Sequence, residues 1–430
     1  MYRVLMIAPT PFFADRGCHV RILGEARALQ ASGCDVTICT YHHGRDVGGI
    51  RTVRIPRIPG YRKLTAGPSN AKYIADPILM LSSLSVAIRE SPDVIHGHLH
   101  EGALIGRVLR SMIRAPLIFD YQGSLTDELG SHGYLDPDGA KARVFNELEA
   151  WIDTGADAVV ASTTRATAAL RAEYPAMRIQ TVMDGVDTDE FRPLDGDRRT
   201  AVRKRYGIEP GAQLAVYVGV LADYQGIDLV LDHIGKILAQ RPRMQVLFAG
   251  YPELEYKARA FELGFSDRVL FPGCVPFDET RALTAAADVG FSAKLSASEG
   301  NLKIYNYLAC GLPVVAFDNP VNREILGDLG VYAPQGDGAT FVQRIGQLLD
   351  DPDRRNELAR AGRAHAVEQL SWRRAARDLI DLYGTVLSEG DRVRSATAVP
   401  EQPRGGGPTG KKDAIRGVSR TGLIQTAADL

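Results

Sequence analysis

A carboxylate, a glycine, an amide and a cation stand together in the stretch Glu299, Gly300, Asn301, Leu302 and Lys303. A strand-like run, Asp288 to Ala293, precedes them; a helical pattern runs from about Lys303 to Cys310, and Gly311 stops it before a second strand, Pro313 to Phe317. A strand, turn, helix and strand in this order points the first free N–H groups of a helix at the carboxyl edge of a parallel sheet. There the helix dipole favours an anion. Lys303, in the first turn, opposes that dipole unless an anion sits between them, and Lys294 adds a second cation at the end of the preceding strand. The bland alternative is a helix start like many others, with Glu299 complementing the dipole and Lys303 facing solvent.

A second group of chemically able residues follows a strand at Asp93 to His96. It contains His98, His100 and Glu101, candidates for proton acceptance, with His96 at the end of the strand itself. Histidines at alternate positions of a strand lie on one face without forming a tetrahedral cage, so no metal is expected. No G-x-G-x-x-G follows the first strand and no P-loop is present, which leaves a nicotinamide, flavin or P-loop nucleotide site without support.

The elements that position these residues alternate. Arg3 to Ala8, Asp35 to Tyr41, Val53 to Ile58, Asp93 to His96, Pro116 to Asp120, Ala156 to Ala161 and Ile179 to Met183 read as strands. Cys18 to Ser32, Pro77 to Arg89, Ala103 to Ile113, Lys141 to Asp153 and Arg165 to Glu173 read as helices. After a proline-marked bend at Pro193 the alternation restarts, with strands at Leu214 to Val220, Gln245 to Ala249 and Val269 to Phe271 and a helix at Ile227 to Ala239. Strands separated by helices of this length argue for an α/β fold of two Rossmann-like, doubly wound parallel sheets. The expected boundaries are residues 1–190 for the first domain, 191–205 for a linker, 206–370 for the second domain, 371–389 for a closing amphipathic helix, and 390–430 for a disordered, slightly basic tail.

A chain of 430 residues fits two such domains, and a formal net charge of -1 gives no global attraction to nucleic acid or membrane. Five scattered cysteines without a C-x-x-C pair argue for a reducing compartment and against structural zinc. Pro9 and Pro11 break the apolar run Val4 to Phe13, which reads against a signal peptide. A cytoplasmic protein is expected, with peripheral placement at the inner face of the membrane compatible with the sequence.

The run Ser298 to Asp318 resembles the donor-binding signature of the family 4 retaining glycosyltransferases. Glu299 and Gly300 match its opening, and Ala309-Cys310-Gly311 with Pro313-Val314-Val315 match its close. The resemblance implies the GT-B arrangement, two Rossmann-like domains facing across a cleft, with the closing helix, preceded by a Trp such as Trp372, crossing back to the first domain. It implies transfer of a sugar from a nucleotide diphosphate sugar to a carbohydrate, lipid-linked or small-molecule hydroxyl acceptor, with no cofactor and no metal. Glu299 then accepts hydrogen bonds from the donor sugar, while the amides of Gly300, Asn301 and Leu302 hold the diphosphate. Gly17, after Asp15 and Arg16, stands where the family has a glycine-rich loop between donor and acceptor. Gly219 opens the loop where the family supplies a charge-neutralising Arg and Lys. His98, His100 and Glu101 fall in a segment that lines the acceptor site, and Gln122 occupies the place of a histidine beside the donor sugar.

Four positions depart from the family pattern. Asn306 replaces the ribose-binding Glu, Gln122 replaces the His, and Val220 and Gln225 replace the Arg and Lys. Lys303 and Lys294 are the remaining cations for the leaving diphosphate. The departures leave open a catalytically degenerate sugar-nucleotide-binding partner subunit, and an acceptor-free sugar-nucleotide epimerase is a further alternative.

Overall fold

The computed structural model describes residues 1–14, 17–64, 69–131, 134–136, 139–295 and 300–397. Seven parallel strands form the first sheet: β1 (Arg3–Ala8), β2 (Asp35–Thr40), β3 (Arg51–Arg54), β4 (Val94–His98), β5 (Leu117–Tyr121), β6 (Ala158–Ala161) and β7 (Ile179–Thr181). Their spatial order is β3-β2-β1-β4-β5-β6-β7. Six more form the second sheet: β8 (Gln213–Val218), β9 (Met244–Ala249), β10 (Val269–Gly273), β11 (Val289–Ser292), β12 (Val314–Phe317) and β13 (Gly330–Ala333), in the order β10-β9-β8-β11-β12-β13.

Both sheets reverse direction beside their first strand. Val4 of β1 pairs with Val36 and Val94 on its two sides, and Ala215 of β8 with Val246 and Val289. Ligands of doubly wound sheets sit at the carboxyl ends of the strands at such switch points. The strands are short and almost wholly apolar because helices cover both faces, as in β1, where Val4 to Ala8 are all buried. Each sheet separates two cores, one built around Met6, Ile38 and Ile118 and another around Ile7, Phe119 and Leu109 in the first domain. The second domain has cores around Phe248, Phe291 and Phe341 and around Leu247, Ala316 and Leu308.

The helix Trp372–Thr397 belongs to the second half of the chain but packs on the first domain. Trp372 lies against Gly24 of the helix Gly17–Ala31, so closely that a Cβ there would stand 2.1 Å from the indole. Further along, the Tyr383 hydroxyl meets His96 Nδ1 at 2.7 Å.

Several element limits differ from expectation. β3, the edge strand of the first sheet, ends at Arg54, two residues before Pro56. A helix spans Lys72–Glu90 and carries Pro77 inside it. Most of the expected linker is helix: Gly196–Arg205 buries no residue, and Arg199 ties it to the second domain through Asp288 at 2.7 Å. The closing helix continues to Thr397, taking in the first residues of the expected tail, whose remainder, 398–430, lies outside the described residues. Among the described residues no helix is long and apolar enough to cross a membrane.

Candidate active site

The carboxyl end of the first sheet is organised by Arg21, a fully enclosed cation in the helix Gly17–Ala31. Its guanidinium donates to both carboxylate oxygens of Asp120 at the end of β5, with Nη2 at 2.7 Å from Oδ1, and through Nη1 to Asp184 Oδ1 at 2.9 Å and the Val182 carbonyl at 3.1 Å. Burial alone would raise the Asp120 pKa, but Arg21 and His98 hold it well below the ordinary carboxylate range. Asp120 is thus a fixed negative charge. On it converge His98 Nδ1 at 2.9 Å and Gln122 Nε2 at 2.7 Å. Glu25, one helical turn after Arg21, goes the other way: burial outweighs Arg21 and raises its pKa well above normal.

This network corrects the expected role of His98. The residue is wholly buried, stacked on His96 with ring centroids 4.6 Å apart, and bound to Asp120, so it positions Asp120 and Gln122 and does not reach the cleft. Gln122 does reach it. Because its Nε2 is given to Asp120, its carbonyl oxygen remains to accept from a ligand.

His100 and Glu101 are not on the strand at all. Leu99 adopts φ 60°, and this left-handed turn starts the helix Leu99–Ile113 at once, carrying His100 and Glu101 into its first turn. His100 lies between Glu149 and Asp153, 3.4 and 3.3 Å from their nearest oxygens. Burial would lower its pKa, but Asp153 and Glu149 raise it to about 9, which favours the imidazolium over the expected proton acceptor at neutral pH. Glu149, pulled down to about 2 against its burial by His100 and Thr126, also accepts from the Leu125 and Thr126 amides. Glu101 is paired with Lys72 at 2.6 Å.

In the second domain, Gly219 follows β8 with φ 150°, a conformation that favours glycine, and a Cβ there would stand 3.2 Å from Lys303 Cε. Lys303 lies in the first turn of the helix Leu302–Ala309, its Nζ 3.0 Å from Gln225 Oε1 and 3.1 Å from Asn301 Oδ1. Asn301 occupies the N-cap position without capping. Its amide instead donates to Ser292 Oγ and Asn322 Oδ1, both at 2.9 Å, so this side chain does not cap the helix's first N–H groups. Lys294, almost completely buried, donates to the Gly300 carbonyl at 3.1 Å and so holds the turn in shape. Asn306 is half-buried on the same helix face as Leu302 and Lys303. Glu299 lies outside the described residues, between Leu295 and Gly300, as do Asp15 and Arg16 beside Gly17.

The two halves meet across a cleft of about 470 Å³. Gly17, Arg21, His100, Glu101, Gln122 and Asp184 line it from the first domain, and Tyr224, Gly300 and Leu302 from the second. Contact between the walls is close, since a Cβ on Gly300 would stand 3.3 Å from Asp184 Oδ2. A second, wider cavity of about 1050 Å³ continues past Gly17 to Arg45, Arg57, Val220 and Tyr251. Sequence reasoning overlooked Arg21, Asp120, Asp184 and Tyr224. The one local trace of the network is a charged pair, Arg21 and Glu25, at i and i+4, a spacing that ordinarily marks a solvated helix face.

Two family models match the chain: glycosyl transferases group 1 over residues 198–365 and the glycosyl transferase 4-like domain over residues 16–184. The D-inositol 3-phosphate glycosyltransferase of Salinispora tropica is 28% identical over 404 residues, covering 87% of this chain and 82% of its own length. Among solved structures, the sucrose-phosphate synthase of Thermosynechococcus elongatus superposes with a TM-score of 0.71 at 19% identity, covering 90% of this chain and 100% of that one. The Anabaena protein HepE, solved in complex with UDP and glucose, superposes with a TM-score of 0.70 at 17% identity, with the same coverage of both chains.

Proposed function

We propose that this chain, which belongs to the family 4 glycosyltransferases of GT-B fold, moves a hexose from a nucleoside diphosphate sugar to a hydroxyl acceptor. Transfer proceeds with retention of configuration and without a metal ion. The observation that carries the reading is the placement of Lys303. It sits on the first turn of a helix whose cap side chain is engaged elsewhere, against Gly219 and next in sequence to Leu302, which lines the interdomain cleft. A cation and the N–H groups of a helix's first turn at that spot would together receive a diphosphate. The relative crystallised with UDP and glucose supports the choice of ligand class.

In this mechanism the bond from the anomeric carbon to the diphosphate oxygen breaks as charge builds on the leaving phosphate. Lys303 and the amides of Gly300, Leu302 and Lys303 stabilise that charge, an effect of electrostatic preorganisation. The acceptor hydroxyl adds to the same face, and a leaving phosphate oxygen takes its proton. Gln122, held by Asp120, offers its carbonyl oxygen toward the developing positive centre, and the buried charge of Asp120 reinforces it. Asn306 would meet the ribose through a neutral amide, a weaker bond than a carboxylate makes. Any membrane association would be peripheral.

The test is release of nucleoside diphosphate from a panel of uridine, guanosine and adenosine diphosphate sugars, with and without acceptor, in the presence and absence of EDTA. Acceptor-dependent release that EDTA does not suppress, with the anomeric configuration retained in the product, is expected. Tight nucleotide binding with no release under any acceptor would leave a binding subunit, and conversion of the donor to its epimer without acceptor would leave an epimerase.

A further inference from the structure

The first domain holds a cavity of about 800 Å³ between the helices Lys72–Glu90, Leu99–Ile113, Leu125–Ser131 and Ala140–Asp153. Its wall is mostly hydrocarbon and aromatic, including Met80, Leu104, Val108, Leu129 and Phe145. Well-packed interiors leave few voids larger than a water molecule, so a space of this size is not a packing defect. It falls within the range of pockets that enclose drug-sized ligands.

The cavity is continuous with the cleft. Lys72, His100, Glu101 and Leu125 line both, and the Lys72–Glu101 ion pair, 2.6 Å long, forms a polar gatepost between them. Tyr73 and Tyr134, which also line it, are 79% and 57% exposed, so the cavity is open to solvent beside them. The path therefore runs from a polar, charged cleft through a charged gate into an apolar chamber. A ligand that matches it carries hydroxyls at one end and hydrocarbon at the other. A wholly polar acceptor would leave the chamber wall without a partner, and a wholly apolar one would strip water from Lys72, His100 and Glu101 without replacing it.

We propose that the acceptor is a hydroxyl-bearing amphiphile whose apolar tail occupies this cavity while its hydroxyl lies in the cleft. The inference rests on the transferase reading and assigns its acceptor class. The same chemistry is offered by a diffusible amphiphile and by a membrane lipid.

The test uses methyl, hexyl and octyl glucosides as monomeric acceptors, and dodecyl glucoside in phosphatidylcholine vesicles, with the nucleotide sugar that supports turnover. kcat/KM should rise by about fourfold for each methylene the cavity takes up. Leu104→Trp and Val108→Phe, which fill the chamber from two positions away from the cleft, should remove the preference for octyl over methyl glucoside and leave turnover of methyl glucoside unchanged. Preference for the monomeric octyl compound marks a diffusible acceptor, and turnover confined to vesicles marks a lipid; either supports the proposal. Calorimetric binding of the same glucosides without donor separates the two readings. Tail-dependent binding that Leu104→Trp weakens, with no turnover of any nucleotide sugar, would sustain the cavity and sink the transferase. Methyl and octyl glucosides that bind and react alike in the unmodified protein would overturn the proposal.

Discussion

Replacing Lys303 separates charge from hydrogen bonding at the first turn of the helix Leu302–Ala309. Its Nζ serves two enclosed acceptors, Gln225 Oε1 at 3.0 Å and Asn301 Oδ1 at 3.1 Å, so truncation has a structural as well as a catalytic cost. Gln225 and Asn301 are 7% and 2% exposed, and an orphaned acceptor in such surroundings costs about 1–3 kcal/mol. Loss of a preorganised group that stabilises developing negative charge costs about 10²–10³-fold in kcat. Lys303→Met incurs both losses. Lys303→Gln keeps an amide donor for Gln225 and Asn301, at a shorter reach, and removes only the charge. Lys303→Arg keeps the charge. The expected pattern is a fall in denaturant midpoint for Met alone, a fall of at least about 10²-fold in kcat for both Met and Gln, and retention of most activity in Arg. Initial rates of nucleoside diphosphate release and a urea titration measure the two effects on the same preparations. If Lys303→Gln turned over donor at the unmodified rate, Lys303 would not face the leaving group and the donor wall would have to be placed elsewhere.

Glu299→Gln should keep the fold, by circular dichroism, and lose most turnover, because the carboxylate in the family signature contacts the reacting sugar; an unchanged rate refutes the assignment. Asn306→Glu should tighten binding of UDP and UDP-glucose in calorimetry, since charge-assisted bonds are roughly twice as strong as neutral ones, and its half-buried position predicts a stability change within about 0.5 kcal/mol. Gly24→Ala places a methyl 2.1 Å from the Trp372 indole. Overpacking of roughly 1–3 kcal/mol should outweigh the gain of about 1 kcal/mol in helix propensity, and the altered Trp372 environment should show in intrinsic fluorescence. His100 has its pKa raised to about 9, so its stabilising contribution is complete below about 6.5 and is lost as pH rises through about 9. His100→Gln should flatten the fall of melting temperature across that interval; an unchanged slope would show that His100 does not sit between Glu149 and Asp153 as an imidazolium.

What the sequence made legible was local. Strands such as Val4 to Ala8 announce themselves because burial on both faces demands an unbroken apolar run, and the helix Ile227–Gln240 because one stripe of it is buried. The helix Gly196–Arg205 had no such signature. It buries nothing and is held by Arg199 and Arg203 on Asp288, so its residues read as a linker. The turn at Leu99 was hidden for a different reason: a left-handed leucine contradicts residue preference, and only the surrounding packing enforces it. It alone moves His100 and Glu101 from a strand face to a helix start and turns a supposed base into half of an ion pair.

The candidate site divides along the same line. Lys303 was visible because a cation in the first turn of a helix is anomalous without an anion, and that anomaly needs no knowledge of distant residues. Arg21 was invisible because its partners supply what would otherwise be anomalous: Asp120 and Asp184, 99 and 163 positions away, neutralise it, while its neighbour Glu25 gives it the outward look of a surface pair. Local chemistry therefore reveals a charge set against its own helix dipole and conceals a charge that distant carboxylates neutralise. Gln122 lies between these cases. As a residue in a turn it is unremarkable, yet its bond to Asp120 links the buried charge to the cleft, so the neutral amide inherits its orientation from Arg21 and His98. Gln122 at the place of the family's histidine is thus intelligible only with Asp120 behind it: a carboxylate whose pKa is held low can orient an amide donor as readily as an imidazole N–H, leaving an oxygen toward the cleft in place of a ring nitrogen.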